Sequence, residues 1–411
     1  MSGVGVEERP KLVYVIPHLS EDESGHFAHL PALLGELGRR TDVIAVVERG
    51  SPPPRLPGVR RVVPLPGRTL PGRLLGTLHV IRRCSAAGYR TYFLRYSRLF
   101  TAVLVLTYPL FRHRVLLWRS GMNDLAPPGE PRPAAHRLDD LVNRVLSRLA
   151  HRLVTGPESM VGYMSRRWGV PRDRVALLYN DIDTDRFAPL PAADRARARA
   201  ARGWAADDFV VLFVHRLSFR RGTRLLPQLF HAMAAAGVPV RLVVAGDGPD
   251  RELLERAAAE PACEGRLHVL GAVPNRDLPE LYAVADCFLM PSYEEGFPRV
   301  LLEAMATALP IVTTDAGGSA DVVGPGYPYV SRVGDTALLL RHLLAVAGSS
   351  PGDRRALGNR LRARARAEYS PRRVAEMLRG LLEDEMTTER TTERTTERTT
   401  GMTTRREGDA R

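Results

Sequence analysis

Five short apolar runs between Phe209 and Thr313 are separated by amphipathic stretches, and this alternation restricts the fold more than any other feature. The runs are Phe209–His215, Val240–Ala245, Leu267–Leu270, Cys287–Met290 and Ile311–Thr313. Each is short and rich in β-branched or aromatic residues, which predicts a strand. Helical patterns fill the gaps at Thr223–Ala236, Asp250–Ala259 and Leu278–Val284. Strands that are apolar on both faces, joined by helical crossovers, predict a parallel sheet covered by helices on each side.

The first half repeats the theme more loosely. Lys11–Ile16 reads as a strand bounded by Pro10 and Pro17. A loop through Ser24-Gly25 and a helical run from His26 to Arg40 follow it, the usual opening of a doubly wound α/β unit. Strands are expected at Asp42–Val47, Arg61–Val63, Arg114–Trp118 and Arg152–Thr155. Helices are expected at Arg73–Ala86, Tyr96–Tyr108 and Leu138–Ala150. The expected organisation is a first domain over residues 1–189, a linker over 190–208 and a second domain over 209–350. Terminal helices follow over 351–385. The tail 386–411 repeats TTER three times with almost no apolar residue, and is expected to be disordered.

Composition excludes several classes. Three distant cysteines, Cys84, Cys263 and Cys287, give neither a disulfide framework nor a zinc spacing and fit a reducing cytoplasm. The N-terminus does not read as a signal peptide. The longest apolar run, Leu99–Phe111, is too short to span a bilayer. The net charge of +13 is unevenly placed: thirteen arginines and no acidic residue lie between Ser51 and Asn123. Among these arginines are interleaved Leu, Phe, Tyr and Trp, so attraction to anionic lipid at the inner face of the cell membrane fits better than nucleic acid. No RNP pattern, zinc finger or basic helix-turn-helix is present.

Residues 290–318, MPSYEEGFPRVLLEAMATALPIVTTDAGG, carry the densest chemistry. Pro298 is placed as the first residue of a helix that puts Val300, Leu301, Ala304 and Met305 on or near one face. Glu295 then lies in the loop before the helix and Glu303 on its second turn. Eight helical steps span roughly 12 Å. Acid/base pairs of glycoside hydrolases stand roughly 5–9.5 Å apart, so an acid/base pair is not the reading. Instead, one carboxylate serves each end of a long ligand. Between them a helix N-terminus suits a phosphate.

This stretch resembles the E-x7-E signature of family-4 retaining glycosyltransferases, enzymes of the GT-B fold. The likeness rests on Pro291-Ser292, Gly296-Phe297-Pro298, the Leu302–Ala306 run, and Asp315 with Gly317-Gly318. It extends to Gly246-Asp247-Gly248-Pro249, to Gly271–Val273, and to Asn180, Asp183, Phe187 and Pro189. The resemblance implies two Rossmann-like doubly wound parallel-sheet domains facing a cleft, with the acceptor on the first and a nucleotide sugar on the second. Its Arg-x4-Lys-Gly element corresponds to Arg216 and Arg221-Gly222, so Arg216 and Arg221 are expected to grip the donor diphosphate. His215 stands where a glycine is common.

The same resemblance assigns Glu303 to the ribose hydroxyls and Glu295 to the donor sugar. It assigns the backbone of Gly296, Phe297, Pro298 and Arg299 to the distal phosphate, that around Val273 to the base, and Gly25 to a close phosphate approach. A cleft histidine usual in relatives is absent, with Asn123 and Asp124 its nearest substitutes. No Asp-x-Asp of the sort that holds a metal in the other major glycosyltransferase fold is found, and no metal or other cofactor is expected. The expected reaction is retaining transfer from a nucleotide sugar to a lipid-linked or membrane-borne glycan. A soluble natural-product acceptor, a nucleotide-sugar epimerase and a catalytically inactive binding subunit are the alternatives.

Overall fold

The computed structural model describes residues 9–19, 29–67, 69–121, 134–385 and 387. Seven parallel strands make the first sheet: β1 (Lys11–Ile16), β2 (Asp42–Val47), β3 (Val59–Pro64), β4 (Thr91–Arg95), β5 (Arg114–Trp118), β6 (Arg152–Thr155) and β7 (Val175–Leu177). Six make the second: β8 (Phe209–Val214), β9 (Val240–Ala245), β10 (Leu267–Gly271), β11 (Cys287–Met290), β12 (Ile311–Thr314) and β13 (Val330–Ser331). Their spatial orders are β3-β2-β1-β4-β5-β6-β7 and β10-β9-β8-β11-β12-β13.

Helices cover both faces of each sheet. The first domain carries α1 (Leu30–Gly38), α2 (Leu70–Ala86), α3 (Arg98–Phe111), α4 (Ala134–Leu149) and α5 (Glu158–Trp168). The second carries α6 (Ala192–Ala200), α7 (Leu226–Ala235), α8 (Arg251–Ala258), α9 (Leu278–Val284), α10 (Arg299–Ala306), α11 (Ser319–Val323), α12 (Thr336–Gly348) and α13 (Pro351–Glu368). A last helix, α14, runs over 371–385. The two-sheet α/β architecture expected from the sequence is the one observed.

Strand order reverses between β1 and β4 in one sheet and between β8 and β11 in the other. Such reversals open a crevice at the carboxyl ends of the flanking strands, where ligands bind in open α/β sheets. The candidate residues lie there, just after β8 and just after β11.

One core fills each face of the first sheet. Leu30, Leu33 and Leu34 of α1 share one face with Val374, Leu378 and Leu382 of α14. On the other face lie α2, α3 and α4, through residues such as Val80, Phe100, Leu104 and Leu146. The spacing of Val374, Leu378 and Leu382 puts them on one stripe of α14. Each such buried side chain is worth ~1.5–3 kcal/mol, so the end of the chain is held firmly to the first domain. Glu385 adds ion pairs to Arg114 (2.7 Å) and Arg152 (2.6 Å).

Several elements differ from expectation. Strands β4 and β7 and helix α12 were not anticipated. Residues 192–200 of the expected linker form helix α6, which Arg195 ties to Ala285 O (2.9 Å) and Asp286 (2.7 Å). An alanine- and arginine-rich run is a good helix former, and the contacts with the second domain supply the rest. The expected helix Tyr96–Tyr108 lies at Arg98–Phe111 and runs through Pro109. No helix among the described residues is long and apolar enough to cross a membrane.

Candidate active site

Two loops meet at the β8/β11 crevice. The loop after β8 holds His215, Arg216 and a turn of 3-10 helix over Phe219–Arg221. The loop after β11 holds Ser292 to Pro298. Tyr293 N–H donates to Arg220 O at 2.9 Å, and Phe219 stacks on Tyr293 with ring centroids 5.0 Å apart. Gly222 ends the first loop at φ +69°, and a Cβ there would lie 2.0 Å from Pro291 O. Only glycine accepts both the left-handed backbone and that approach.

Glu295 is the hub of the junction. Its Oε1 receives Arg221 Nη1 at 2.6 Å, His215 Nε2 at 3.0 Å and Ser292 Oγ at 2.9 Å. Burial works to raise the Glu295 carboxyl. The charges of His215 and Arg221, with hydrogen bonds from His215 and Ser292, outweigh burial and hold it at about 2. Arg221 also donates to Glu294 O at 2.5 Å. Arg216 is different: its side chain is exposed and has no polar partner among the described residues. Of the two arginines expected at the diphosphate, one is engaged with Glu295 and the other stands open.

Helix α10 begins at Arg299, one residue later than expected. Pro298 occupies its N-cap position in an extended conformation, and no side chain caps the helix. The first-turn N–H groups therefore have no intrahelical partner. Phe297 is buried and meets Tyr179 and Tyr369 at centroid distances of 5.7 and 5.8 Å. Glu303, on the second turn, accepts from Tyr282 Oη at 2.8 Å. Burial raises its carboxyl above the ordinary range, against the opposing effects of Arg299 and Tyr282. The two glutamates are thus prepared in opposite ways.

Gly296 lies where the domains pack tightly: a Cβ there would stand 1.6 Å from Ser120 O. Around this point a polar cluster spans the domain junction. Asn180 Nδ2 donates to Phe297 O at 3.0 Å and Asn180 Oδ1 accepts from Arg95 at 3.3 Å. The Arg95 guanidinium lies 4.6 Å above the Trp118 ring. Asp181, fully buried, lies 3.6 Å from His29 and 3.7 Å from Arg299. Burial raises its carboxyl, with Arg299 and Arg95 opposing.

Sequence reasoning found neither His29 nor Arg95, and took Asn180 only as part of the family likeness. The available signal for Arg95 was only its place at the end of the short apolar run Tyr92–Leu94. Val273 is half-buried beyond β10, at the carboxyl edge of the second sheet. Gly25, Asn123, Asp124 and, apart from Thr387, the tail of TTER repeats lie outside the described residues.

Solved structures share this architecture. Sucrose-phosphate synthase from Thermosynechococcus elongatus superposes with a TM-score of 0.72 at 20% identity, covering 92% of this chain and 100% of that one. Anabaena HepE in complex with UDP gives 0.71 at 18% identity, covering 91% and 100%. The fold is GT-B. Residues 194–364 match the family of glycosyl transferases group 1. The 2-deoxystreptamine glucosyltransferase of Streptomyces kanamyceticus is 29% identical over 208 residues, 50% of this chain and 54% of that protein. The chain spans about half the length of the curated relatives it matches.

Proposed function

We propose that the protein is a retaining, metal-independent glycosyltransferase that moves a sugar from a nucleotide-sugar donor to a lipid-linked or membrane-borne glycan. The observation that carries the reading is the placement of Glu295 and Glu303 on either side of an uncapped helix start, at the crevice of a segment matched to glycosyl transferases group 1. Glu303, with two acceptor oxygens, takes the ribose hydroxyls. Glu295 keeps Oε2 for a hydroxyl of the donor sugar, because its protein contacts fall on Oε1. The N–H groups at the start of α10 take the distal phosphate.

In the reaction, the bond from the anomeric carbon to the phosphate oxygen breaks and negative charge grows on the diphosphate. Arg216 meets that charge directly, and Arg221 supports it while orienting Glu295. Fixed positive charge is the main catalytic need, and these residues with the helix end supply it without a divalent ion. The acceptor hydroxyl oxygen bonds to the anomeric carbon on the same face, and its proton passes to the departing phosphate. A soluble acceptor is the second reading, supported by the likeness to a glucosyltransferase named for 2-deoxystreptamine.

A thermal-shift panel of UDP, GDP, ADP and TDP, with and without Mg²⁺, tests the donor site. UDP is the first nucleotide to try, since the structural neighbour HepE binds it. One nucleotide is expected to stabilise the wild type without metal, by ~2.7 kcal/mol at a hundred times its dissociation constant. Glu303→Ala is expected to abolish that shift. No shift with any nucleotide overturns the reading.

A further inference from the structure

The α2–α4 layer buries its inner side against the first sheet, and its outer side carries leucines that nothing covers among the described residues. Leu106 and Leu110 of α3 are 77% and 78% exposed. On α4 the pattern is inverted. Leu146 is buried, whereas Leu138, Leu141, Val145 and Leu149 form an exposed stripe at helical spacing. Arg98 bridges Asp139 at 2.5 and 2.9 Å, which ties the starts of α3 and α4 together. With the two helices side by side in the same sense, Leu106 and Leu110 come within about one turn of the level of Val145 and Leu149. The result is one apolar face shared by both helices, too extensive to be scattered surface leucines.

The charge around this face has one sign. Helices α2 and α3 carry no acidic residue. The two acids of α4, Asp139 and Asp140, are held by Arg98 and by Arg167 (2.6 Å). Arg82, Arg83, Arg112 and Arg148 are exposed toward the carboxyl ends of the three helices.

We infer that this outer face is a peripheral docking surface for an anionic lipid bilayer. Protruding leucines enter the boundary between headgroups and acyl chains, and the arginines meet lipid phosphates while their stems lie along apolar surface. The face stands on the helices of the first domain and does not depend on the transfer reaction. Its test needs no donor, so its failure is distinct from a failure of nucleotide binding.

Flotation of the full chain with phosphatidylcholine vesicles, with and without about one-third phosphatidylglycerol, decides it. Recovery is expected to rise on the order of tenfold with the anionic lipid and to fall with added salt. The double variant Leu106→Ser/Leu110→Ser is expected to lose about tenfold in recovery with an unchanged melting temperature. Val333→Ser, an exposed apolar position of the second domain, is expected to float like the wild type. Equal recovery from both vesicle types, or a leucine variant that floats like the wild type, overturns the proposal. So does a lipid-free dimer that the same two substitutions dissociate, which assigns the face to a second copy of the chain.

Discussion

The two halves of this molecule treat charge in opposite ways. In the second domain the two carboxylates of the crevice turn inward and find partners: Glu295 with Arg221 and His215, and Glu303 with Tyr282. In the first domain the arginines of residues 51–123 have no acids among them, and leucines stand beside them in solvent. A site for a small, fixed ligand requires preorganised partners and therefore a rigid pattern of residue types. A surface for something broad requires only area and sign. The family match covers residues 194–364 and leaves the first domain out.

The strongest way to break that comparison is to remove an arginine of the crevice. Arg216→Ala is expected to lower kcat by ~10²–10³, the usual effect of deleting one preorganised charge at a developing anion. Its melting temperature is expected to stay near that of the wild type, because the side chain is exposed without a polar partner among the described residues. Arg221→Ala is expected to lower both. It leaves Glu295 buried with one cation fewer, at a cost of about 2 kcal/mol. That is below the ~3–5 kcal/mol of a fully orphaned buried ion, because His215 and Ser292 remain. A transfer assay beside calorimetry separates the cases. Equal thermal losses in the two variants would erase the distinction between the open and the engaged arginine.

The second effect concerns pH and sharpens the contrast between the two glutamates. Glu295 is held at about 2 against an ordinary value of 4.5, so the unfolded chain binds more protons between those values. Stability from this group is present above the ordinary value and is lost as pH falls through the window. Over pH 5 to 3 the wild type is expected to lose about 2 kcal/mol more than Glu295→Gln, measured by urea unfolding. Glu303 has the opposite sign. Its carboxyl is raised, so the folded state binds the extra proton and stability declines as pH rises above the ordinary carboxylate value. A Glu295→Gln acid limb parallel to that of the wild type would mean that the ion pairs do not outweigh burial.

Much of this was readable from residues. The five strand runs of the second domain stand within one residue of their expected bounds because each is short, mostly apolar and rich in β-branched or aromatic residues, the pattern of a buried strand. The Glu295–Glu303 element was equally clear, since helix chemistry and residue types agree there. Strand β4, Thr91–Arg95, was missed because its single arginine ends a short run and reads as a surface break. That arginine is buried because Trp118 and Asn180 receive it, and neither contact has a local signature. Asp181 is hidden for the same reason: its partners, His29 and Arg299, are far from it in the chain. The outer face of α4 was visible as an amphipathic pattern. Only the packed structure reveals that its apolar stripe points away from the core.

The smallest effect probes how Glu303 is held. Tyr282 is fully buried, and burial together with the neighbouring carboxylate pushes its hydroxyl far above the usual phenol range, so it stays a donor. Its hydrogen bond to Oε2 orients the carboxylate and compensates part of its burial. Tyr282→Phe keeps the ring and its packing on Phe187 and Phe288 while deleting the donor. A hydrogen bond to a charged group is worth ~1.5–3 kcal/mol, and Glu303 retains Arg299 nearby, so the low end applies. Nucleotide affinity is expected to fall about tenfold, which corresponds to ~1.4 kcal/mol, with the preference among the four nucleotides unchanged. A titration of the variant against the wild type measures it. If Tyr282→Phe instead abolishes binding as completely as Glu303→Ala, the tyrosine touches the ligand itself. If it changes nothing, Arg299 alone orients Glu303, and the crevice relies on the cluster that spans the domain junction.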